Sequence, residues 1–369
     1  MPDLQVAGSP LTPLRVGMIG CGLVMELKHM RVLQGVPSIQ VIAACDPDRR
    51  RLDEVALRFG IPRRYADSAE LLADPDVEAV GVCTPPALHE EAVVAAIAAG
   101  KHVLVEKPPA LDVAACERMI ARAEASSVKV QVGFHMRFHR HVRAARARLQ
   151  RGDLGVIEAL RGVWMAPTRL NRELPVWRNE VGTGGGCLME FGVHQYDLWR
   201  HLLGCEVGAV SAVVRDERWP AQSASLCAVM SNGATVSQVM SEVTAHDIHY
   251  EIYGRRGCLR LDCLRYDGLE PRRREQFPGG LAMVARRAWK SLRDLPAARE
   301  SVRVGGDFFL SYRAQWLGLA TAIRQGTEVE CSLRDGLAAV RVALAARAAA
   351  DSGRTVAVAA APSSPALGN

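Results

Sequence analysis

The sequence predicts an α/β protein in two parts, a doubly wound parallel sheet followed by an α+β domain with a large, mostly antiparallel sheet. Over residues 12–134, short apolar runs alternate with helical stretches, a rhythm typical of parallel strands joined by crossover helices. From residue 135 the apolar runs lengthen, alternate with polar residues and meet at hairpin-like turns. We therefore expect a first domain over 12–134, a second over 135–358, and flexible tails at 1–11 and 359–369.

The first domain is predicted from five apolar strands with helical stretches between them. The strands are predicted over residues 14–19, 40–45, 77–83, 102–105 and 129–132. The helices are predicted to reach about residue 33 after the first strand and to cover residues 49–59, 89–99 and 112–126. Strand and helix alternating at this spacing favour a parallel, doubly wound sheet.

The second domain is predicted from longer strands and two late helices. The strands are predicted over residues 157–164, 207–215, 224–231, 235–242, 248–253 and 258–262. The helices are predicted over residues 308–324 and 333–350. Turns at 231–233 and 254–257 have hairpin spacing, which indicates antiparallel neighbours. We expect one open face of this sheet to be free for a substrate or another subunit.

Residues 281–295 predict a basic amphipathic helix in the second domain. Its apolar positions share one face and are Leu281, Val284, Ala288, Leu292 and Leu295. The basic residues around them are Arg286, Arg287, Lys290 and Arg293. Such a helix can lie on a membrane. We favour the alternative, in which its apolar side packs on the second domain or on a subunit partner.

Composition argues against several classes of protein. The chain has 369 residues, of which 49% are hydrophobic and 23% charged, as in soluble globular proteins. No apolar run approaches the roughly 20 residues that span a bilayer, and the start lacks a signal-peptide pattern, so we expect a cytoplasmic protein without membrane contacts. Ten scattered cysteines without metal-ligand spacing predict no metal site. A net charge of +6 with only 5% aromatic residues argues against nucleic-acid binding.

A glycine turn after the first strand predicts a dinucleotide site. Gly20-Cys21-Gly22 lets the backbone approach a pyrophosphate, and the next helix offers its amino-terminal amides to the phosphate charge. Asp46, at the end of the second strand, is placed to accept the hydroxyls of an adenosine ribose. Its carboxylate would repel a 2′-phosphate, which favours NAD over NADP, although an arginine at 49–51 could pair with that phosphate. Met25 replaces the third glycine of the usual fingerprint, and an ordinary glycine turn is the alternative.

Lys107 stands out because lysine is rare in this chain. Lysine occurs only at positions 28, 101, 107, 129 and 290, and arginine supplies nearly all the other positive charge. A half-buried ammonium can change its pKa, whereas a guanidinium stays protonated. Lys107 follows an apolar strand and lies between Glu106 and two prolines. A catalytic lysine is one interpretation, and a solvated loop lysine is the other.

A triple glycine at 184–186 precedes a second group of polar residues. The glycines free the backbone to come close to a ligand. Glu190 and His194 are four residues apart, so on a helix both side chains emerge on one face. An imidazole titrates near neutrality, and Glu190 or Asp197 could orient it and raise its basicity. An ordinary surface pair is the alternative, but the glycines favour a site.

Together these motifs resemble the glucose-fructose oxidoreductase / inositol dehydrogenase / rhizopine catabolism (Gfo/Idh/MocA) family of NAD(P)-dependent dehydrogenases. The matching segments, spread over nearly the whole chain, are Gly20-Cys21-Gly22 with His29, Cys45-Asp46-Pro47, Thr84-Pro85-Pro86 with His89, Gly100-Lys101-His102, Glu106-Lys107-Pro108, Gly133-Phe134 with Arg137-Phe138, Trp177-Arg178, and the triple glycine leading to His194. The resemblance implies a Rossmann domain followed by an open-faced sheet domain. It also implies assembly as a homodimer or homotetramer.

The resemblance further implies which residues form the site. The catalytic group would be Lys107, His194 and Glu190, and Glu190 stands where the family usually has Asp. The substrate would contact Lys107, His135, Glu190 and His194, and His135 stands where the family often has Asn. The cofactor would be NAD, with NADP as the alternative. Its binding residues would be Gly20, Cys21, Gly22, Leu23, Val24, Asp46, Arg50, Arg51, Thr84, Pro85, Pro86, His89, Glu106, Lys107, Arg137, Trp177 and Arg178.

The activity implied by the resemblance is that of an NAD(P)-dependent dehydrogenase. The substrate would be a ring secondary alcohol or ketone of a sugar, glycoside, aminosugar or cyclitol. His194 would accept the hydroxyl proton, and Lys107 would supply positive charge to the forming alkoxide. Two alternatives remain, a redox-assisted glycosidase that returns its NAD unchanged and a nonenzymatic NAD-sensing regulator.

Overall fold

The computed structural model describes residues 12–170, 174–180, 184–276 and 280–359, and these residues form two sheets. The predicted fold class is confirmed, because a parallel sheet comes first and a mostly antiparallel sheet follows. The two predicted tails lie outside the described residues, apart from residue 359. Within the described ranges, no helix is both long and apolar enough to cross a membrane.

The first sheet has six parallel strands in the order β3-β2-β1-β4-β5-β6. The strands are β1 (Leu14–Ile19), β2 (Ile39–Cys45), β3 (Arg63–Tyr65), β4 (Ala79–Val82), β5 (His102–Val105) and β6 (Val130–Val132). β3 was not predicted, because its three residues contain no apolar run to mark it. The chain leaves β1 toward one edge and returns to the other side at β4, and a crevice opens at such a reversal, beyond the carboxyl ends of the strands.

Helices on both faces of this sheet connect its strands. They are a π-helical segment Met25–Met30, α1 (Arg31–Leu33), α2 (Arg49–Phe59), α3 (Ser68–Ala73), α4 (His89–Ala98) and α5 (Val113–Glu124). Asp48 begins α2 by accepting a hydrogen bond from the backbone N–H of Arg51, and Gly60 ends it in the left-handed conformation. The π-helical segment follows the glycine turn directly, where the sequence predicted an ordinary helix.

The second sheet has eight strands in the order β13-β12-β11-β7-β10-β9-β8-β14. They are β7 (Ile157–Met165), β8 (Val207–Arg215), β9 (Ser223–Met230), β10 (Thr235–Ser241), β11 (Asp247–Gly254), β12 (Gly257–Asp262), β13 (Leu269–Arg273) and β14 (Val356–Ala357). Of the pairs between these described strands, β7 with β10 is parallel and the others are antiparallel. Burial alternates along β9, so one face of the sheet is covered and the other is open, as predicted.

Six helices complete the second part of the chain within the described residues. They are α6 (Arg140–Gln150), α7 (Gly186–Glu190), α8 (Gly192–Leu203), α9 (Leu281–Val304), α10 (Asp307–Gln325) and α11 (Leu333–Ser352). α8 and α11 cover one face of the second sheet beside β8. α10 instead packs on the first sheet, where Trp316 joins the core around Met18 and Leu104. The late helix α10 therefore packs on the first sheet, although its sequence position follows the second sheet.

Candidate active site

A cavity of about 1500 Å³ opens at the carboxyl ends of the central strands of the first sheet. Turns that follow β1, β2, β4 and β5 line most of it. The second domain adds one wall through Pro175, Trp177, Arg178 and Glu190. This is the crevice that the strand order of a doubly wound sheet creates.

The glycine turn after β1 forms the floor of the cavity. Gly20 has φ +92°, and a Cβ there would lie 2.9 Å from the backbone of Cys83 and Thr84, so only glycine fits. A Cβ built on Gly22 would meet no atom within 4 Å, so the space beside this residue is open to a ligand. Met25, in place of a third glycine, is fully buried and starts the π-helical segment. The turn therefore has the open backbone that a pyrophosphate requires, although its fingerprint is incomplete.

Asp46 lies at the end of β2 with its carboxylate held by backbone amides. The N–H of Cys21 donates to Oδ2 at 2.8 Å, and the N–H of Asp48 donates to Oδ1 at 2.9 Å. Each oxygen keeps a lone pair for a ribose hydroxyl. Arg51 lines the cavity with a guanidinium nitrogen 3.8 Å from Oδ2, whereas Arg50 pairs with Glu54 on the surface.

His89 fastens the turn after β4 to the turn after β5. Its Nδ1 is 2.8 Å from the carbonyl oxygen of Pro108, and its Nε2 is 2.9 Å from that of Thr84. Burial lowers the pKa of His89, so the ring is neutral and donates to one of the two carbonyls at a time. Thr84 Oγ1 is buried without a partner among the described residues, so a hydroxyl is free beside the cavity.

Lys107 places its ammonium where the cavity meets the second domain. Its Nζ donates to the carbonyl oxygen of Glu190 at 3.0 Å, across the domain boundary. Burial lowers the pKa of Lys107, and the nearby carboxylates of Glu106 and Glu190 oppose this effect. An ammonium has three donors, so this bond leaves donors for a ligand in the cavity. Lys107 is therefore a partly buried residue that bonds to the second domain, not a solvated loop lysine.

The carboxylate of Glu190 is paired with Arg178. Arg178 Nε donates to Oε1 at 2.6 Å, and its terminal nitrogen donates to Oε2. α7 ends at Glu190 and α8 starts at Gly192, so no single helix carries Glu190 and His194 on one face. Within the described part of the chain no Glu190–His194 hydrogen bond forms, contrary to the sequence-based expectation.

His194 is buried behind Lys107 and held by ring contacts. Its ring stacks on Trp164 with centroids 5.5 Å apart and planes at 5°. Burial, and after it the Lys107 ammonium, lowers the pKa of His194 well below its ordinary value, so the imidazole is neutral. Its Nδ1 has no hydrogen-bond partner among the described residues. A neutral ring with an open nitrogen next to an ammonium has the properties of a proton acceptor.

His135 lies beside His194, with ring centroids 5.0 Å apart. Ser311 gives its hydroxyl proton to the carbonyl of Phe308, so the His135 Nδ1 at 2.7 Å must donate to the Ser311 oxygen. Nε2 is then an unprotonated acceptor, buried without a partner in the described ranges. The two histidines form a pair of neutral rings behind the cavity, and neither lines it in this structure.

Arg137 and Asp197 form a buried ion pair away from the cavity. Arg137 donates to both oxygens of Asp197 at 2.8 and 2.5 Å and also contacts Asp335 at 2.9 Å. The resemblance implied that Arg137 contacts the cofactor. Its guanidinium is instead paired with these two carboxylates, and Arg137 does not line the cavity. Asp197 likewise faces Arg137, so it does not orient His194 as the sequence suggested.

Glu242 and Arg169 form a second buried ion pair next to Arg178, and the sequence did not indicate them. Glu242 follows β10, is fully buried and is paired with Arg169, which is also buried. Burial, and next the charge of Glu190, raises the pKa of Glu242 to about 7, while Arg169 opposes this. Arg169 also donates to the carbonyl of Arg178, so the two arginine–glutamate pairs are connected. The only signal in the sequence was an acidic residue at a strand end.

The structure brings most of the predicted residues to the cavity. Those that line it are Gly20, Cys21, Gly22, Leu23, Val24, Asp46, Arg51, Thr84, Pro85, Pro86, His89, Glu106, Lys107, Trp177, Arg178 and Glu190. Those that do not are Arg50, His135, Arg137 and His194. The glycine turn and the buried carboxylate of Asp46 fit a dinucleotide.

Two family models match this chain. Residues 14–134 match the model described as oxidoreductase family, NAD-binding Rossmann fold. Residues 142–260 match the model described as GFO/IDH/MocA C-terminal domain. Together the two matches cover more than half of the chain.

Individual relatives agree with these matches. The myo-inositol 2-dehydrogenase of Thermotoga maritima is 29% identical over 261 residues, which cover 68% of this chain and 76% of the relative. The scyllo-inositol 2-dehydrogenase (NAD(+)) of Bacillus subtilis is 27% identical over 262 residues, which cover 69% of this chain and 75% of the relative. The WlbA dehydrogenase of Bordetella pertussis, solved with NADH and UDP-GlcNAcA, has a TM-score of 0.79 at 20% identity and covers 95% of this chain and 100% of its own. That structure shares the fold.

Proposed function

This chain belongs to the GFO/IDH/MocA family of NAD-binding oxidoreductases, and from that premise we propose that it oxidises or reduces a ring secondary alcohol or ketone of a sugar, glycoside, aminosugar or cyclitol. The observation that carries the proposal is the partly buried amino group of Lys107, which lines the cavity and bonds to the second domain. Relatives named as inositol dehydrogenases support the substrate class.

The proposed mechanism uses Lys107 and His194 as a pair. A substrate hydroxyl next to Lys107 accepts a hydrogen bond from the ammonium, and neutral His194 takes the hydroxyl proton. Positive charge held in a water-poor cavity then stabilises the alkoxide oxygen as it forms. Bound NAD supplies the hydride acceptor. Because neither His194 nor His135 lines the cavity, substrate binding has to open a path to His194 beside Lys107.

Glu190 and Arg178 have a positioning role in this proposal. The Glu190 carboxylate is occupied by Arg178, while its backbone carbonyl holds Lys107. Glu190 therefore fixes where the ammonium lies and takes no proton from the substrate. This role suits a glutamate in the place of an aspartate, because the longer side chain reaches Arg178.

The cofactor is proposed to be NAD in preference to NADP. The Asp46 carboxylate, fixed by two backbone amides, would repel a 2′-phosphate and accept ribose hydroxyls. Arg51 reduces this repulsion but is half-exposed and lies 3.8 Å from the carboxylate. Of the three consecutive arginines, Arg51 alone lines the cavity.

The deciding experiment first identifies a substrate and then removes the amino group of Lys107. Reduction of NAD and of NADP is measured against free hexoses, inositols, aminosugars and glycosides, and the Lys107→Ala variant is then assayed with the best substrate. We expect kcat to fall by roughly 100- to 1,000-fold, as when one donor to a forming oxyanion is removed. NADH binding, followed by fluorescence, should change little.

Lys129→Ala is the matched control, because Lys129 pairs with Glu328 outside the cavity. Near wild-type turnover in Lys107→Ala would refute the assigned role. Release of free sugar without net NADH would instead favour the redox-assisted glycosidase. Tight NADH binding without turnover across the whole panel would favour the regulator.

A further inference from the structure

The outward face of α9 is apolar, the reverse of an ordinary surface helix. Leu281 and Leu292 are 87% and 67% exposed, and Val284 and Leu295 are more than half exposed. At about 100° of rotation per residue, these four side chains lie within an arc of roughly 80°. We call them the α9 ridge. The sequence favoured packing of this face on the second domain or on a subunit partner, and within the single chain the structure leaves it exposed.

The opposite face attaches α9 to the rest of the molecule through polar contacts. Lys290 Nζ donates to the carbonyl of Asp267 at 2.6 Å, and Arg287 pairs with Glu270 of β13 at 2.7 Å. Met283 and Ala298 are buried on this side. The position of the helix therefore does not depend on the α9 ridge, which is free to meet another surface.

Positive charge exceeds negative charge on α9, although Arg287 pairs with Glu270 and both Lys290 and Arg293 pair with Asp294. The helix carries six basic residues (Arg286, Arg287, Lys290, Arg293, Arg299 and Arg303) against two acidic ones (Asp294 and Glu300). Trp289 is 67% exposed and lies near Arg286 and Arg293 on the helix surface. Beneath α9, a cleft of about 980 Å³ reaches β13 and α6. Arg256, Arg272 and Arg273 line this cleft, and the described residues offer none of the three a carboxylate partner.

These features together favour one kind of occupant over the others. A second copy of α9 facing the first would bring the basic residues of both helices together, and this repulsion opposes association. An anionic bilayer complements both the apolar α9 ridge and the basic residues of the helix. Leucine and valine enter the interface, and arginine contacts the headgroup phosphates. Trp289, exposed between the α9 ridge and the arginines, suits the level of the lipid headgroups.

We propose that α9 docks this protein reversibly on an anionic lipid surface, with the α9 ridge in the interface and the arginines at the headgroups. The proposal is independent of the dehydrogenase assignment. None of the residues that line the cofactor cavity lies on α9, so docking through α9 uses a different part of the molecule. The contact differs from a membrane span, for which no described helix is suited.

The test is co-sedimentation of the full chain with vesicles. Vesicles of phosphatidylcholine alone are compared with vesicles in which part of it is replaced by phosphatidylglycerol. We expect binding to the anionic vesicles only, and weaker binding as salt is added. Leu281→Ser with Leu292→Ser should abolish pelleting. Arg286→Gln with Arg293→Gln should weaken it by about fivefold for each arginine removed.

Matched controls separate docking from a general loss of solubility or fold. Leu57→Ser removes an equally exposed leucine from α2, and Arg122→Gln with Arg151→Gln removes two exposed arginines elsewhere. The controls should pellet like the wild type, and all variants should keep its melting temperature. Absence of pelleting, equal pelleting with neutral vesicles, or unchanged pelleting of the ridge variant would overturn the proposal. So would a ridge variant whose mass in solution drops without lipid, because a second copy would then cover the ridge.

Discussion

At the residue scale, a chain of hydrogen bonds sets the charge next to Lys107. The indole N–H of Trp316 can only donate, so His29 Nδ1 accepts it and His29 Nε2 carries the proton given to Glu106 at 2.9 Å. Burial opposes charge on Glu106, but the His29 bond and the Lys107 ammonium outweigh it and lower the pKa of the carboxyl. Glu106 is therefore an anion that counteracts the tendency of partly buried Lys107 to lose its proton.

The first prediction at this scale concerns His194→Gln. If His194 is the proton acceptor, kcat/KM of the wild type falls only when the pH drops below the pKa of that ring. Since burial and Lys107 lower this pKa, the acidic limb should lie below pH ~6.5, the ordinary imidazole value. The variant should lose roughly 10²- to 10⁴-fold in rate, and its acidic limb should disappear.

His249→Gln is the control for this profile, because His249 is a β11 residue outside the cavity that pairs with Asp247. Its pH profile should match that of the wild type. An acidic limb that persists unchanged in His194→Gln would assign the acceptor to another group, and His135 with its open Nε2 is the next to test.

Residues at strand ends could be predicted from the sequence, and residues paired over long distances could not. Asp46 and Lys107 each follow an apolar strand, so their place at the sheet edge follows from the pattern alone. Glu242 depends on Arg169, which is 73 positions away in the chain, and no local pattern indicates that pair. The same holds for Arg137. Its guanidinium could bind a ligand or a buried carboxylate, and only the structure shows that it pairs with Asp197.

At the scale of elements, the break between α7 and α8 decides what Glu190 can do. α7 begins beside Gly186, where a Cβ would collide with the carbonyl oxygen of Pro220. Ala221, next to that carbonyl, has φ +44°, a left-handed conformation that costs a non-glycine residue about 1 kcal/mol or more. The close approach of this loop explains the need for glycine at position 186, where α7 begins. This need for glycine could not be predicted from the sequence, because the loop lies about 35 residues further along the chain.

A prediction at the element scale concerns Glu242, which closes β10. Its pKa is raised to about 7, whereas in the unfolded chain a glutamate titrates near about 4.3. A carboxyl that binds its proton more tightly when folded contributes stability that is present in full below the unfolded pKa and is lost as the pH rises through the folded one. The free energy of unfolding of the wild type, relative to Glu242→Gln, should therefore fall between about pH 4 and pH 7 by up to about 3 kcal/mol.

Chemical denaturation of both proteins at a series of pH values measures this difference. Glu158→Gln serves as the control, because Glu158 is a surface residue paired with Arg255. Its difference from the wild type should not depend on pH in this window. A flat difference for Glu242→Gln as well would show that Arg169 keeps the carboxyl ionised throughout.

At the scale of the whole molecule, α10 packs on the first sheet although it follows the second sheet in the chain. Trp316 packs in the core of the first domain, and Gln131 of β6 donates to the carbonyl of Gln315 at 3.0 Å. The rhythm of strands and helices predicted both sheets, but it assigned α10 to the second domain by its order in the chain. Helix patterns indicate that a face is apolar without indicating which sheet it meets.

The open face of the second sheet supports the last prediction, self-association through that face. Val213 and Val239 flank Ser225 on neighbouring strands, and Val239 pairs with Val163 on β7, so uncharged side chains form a row across four strands. Val213 is 74% exposed, and Val239 is also exposed. Burying such a row against a second copy removes apolar surface from water and covers an otherwise exposed sheet face.

We therefore expect the wild type to form a homodimer or homotetramer. The double variant Val213→Asp with Val239→Asp should form smaller species, because facing copies would then bury like charges. Analytical ultracentrifugation of the wild type and the double variant gives the masses, and Leu57→Asp on α2 is the control for an added surface charge. A monomeric wild type, or a variant with unchanged mass, would contradict assembly through this face. The α9 ridge lies beyond the β13 edge of the same sheet, at the far end from β8, so the assembly expected here leaves α9 available for lipid.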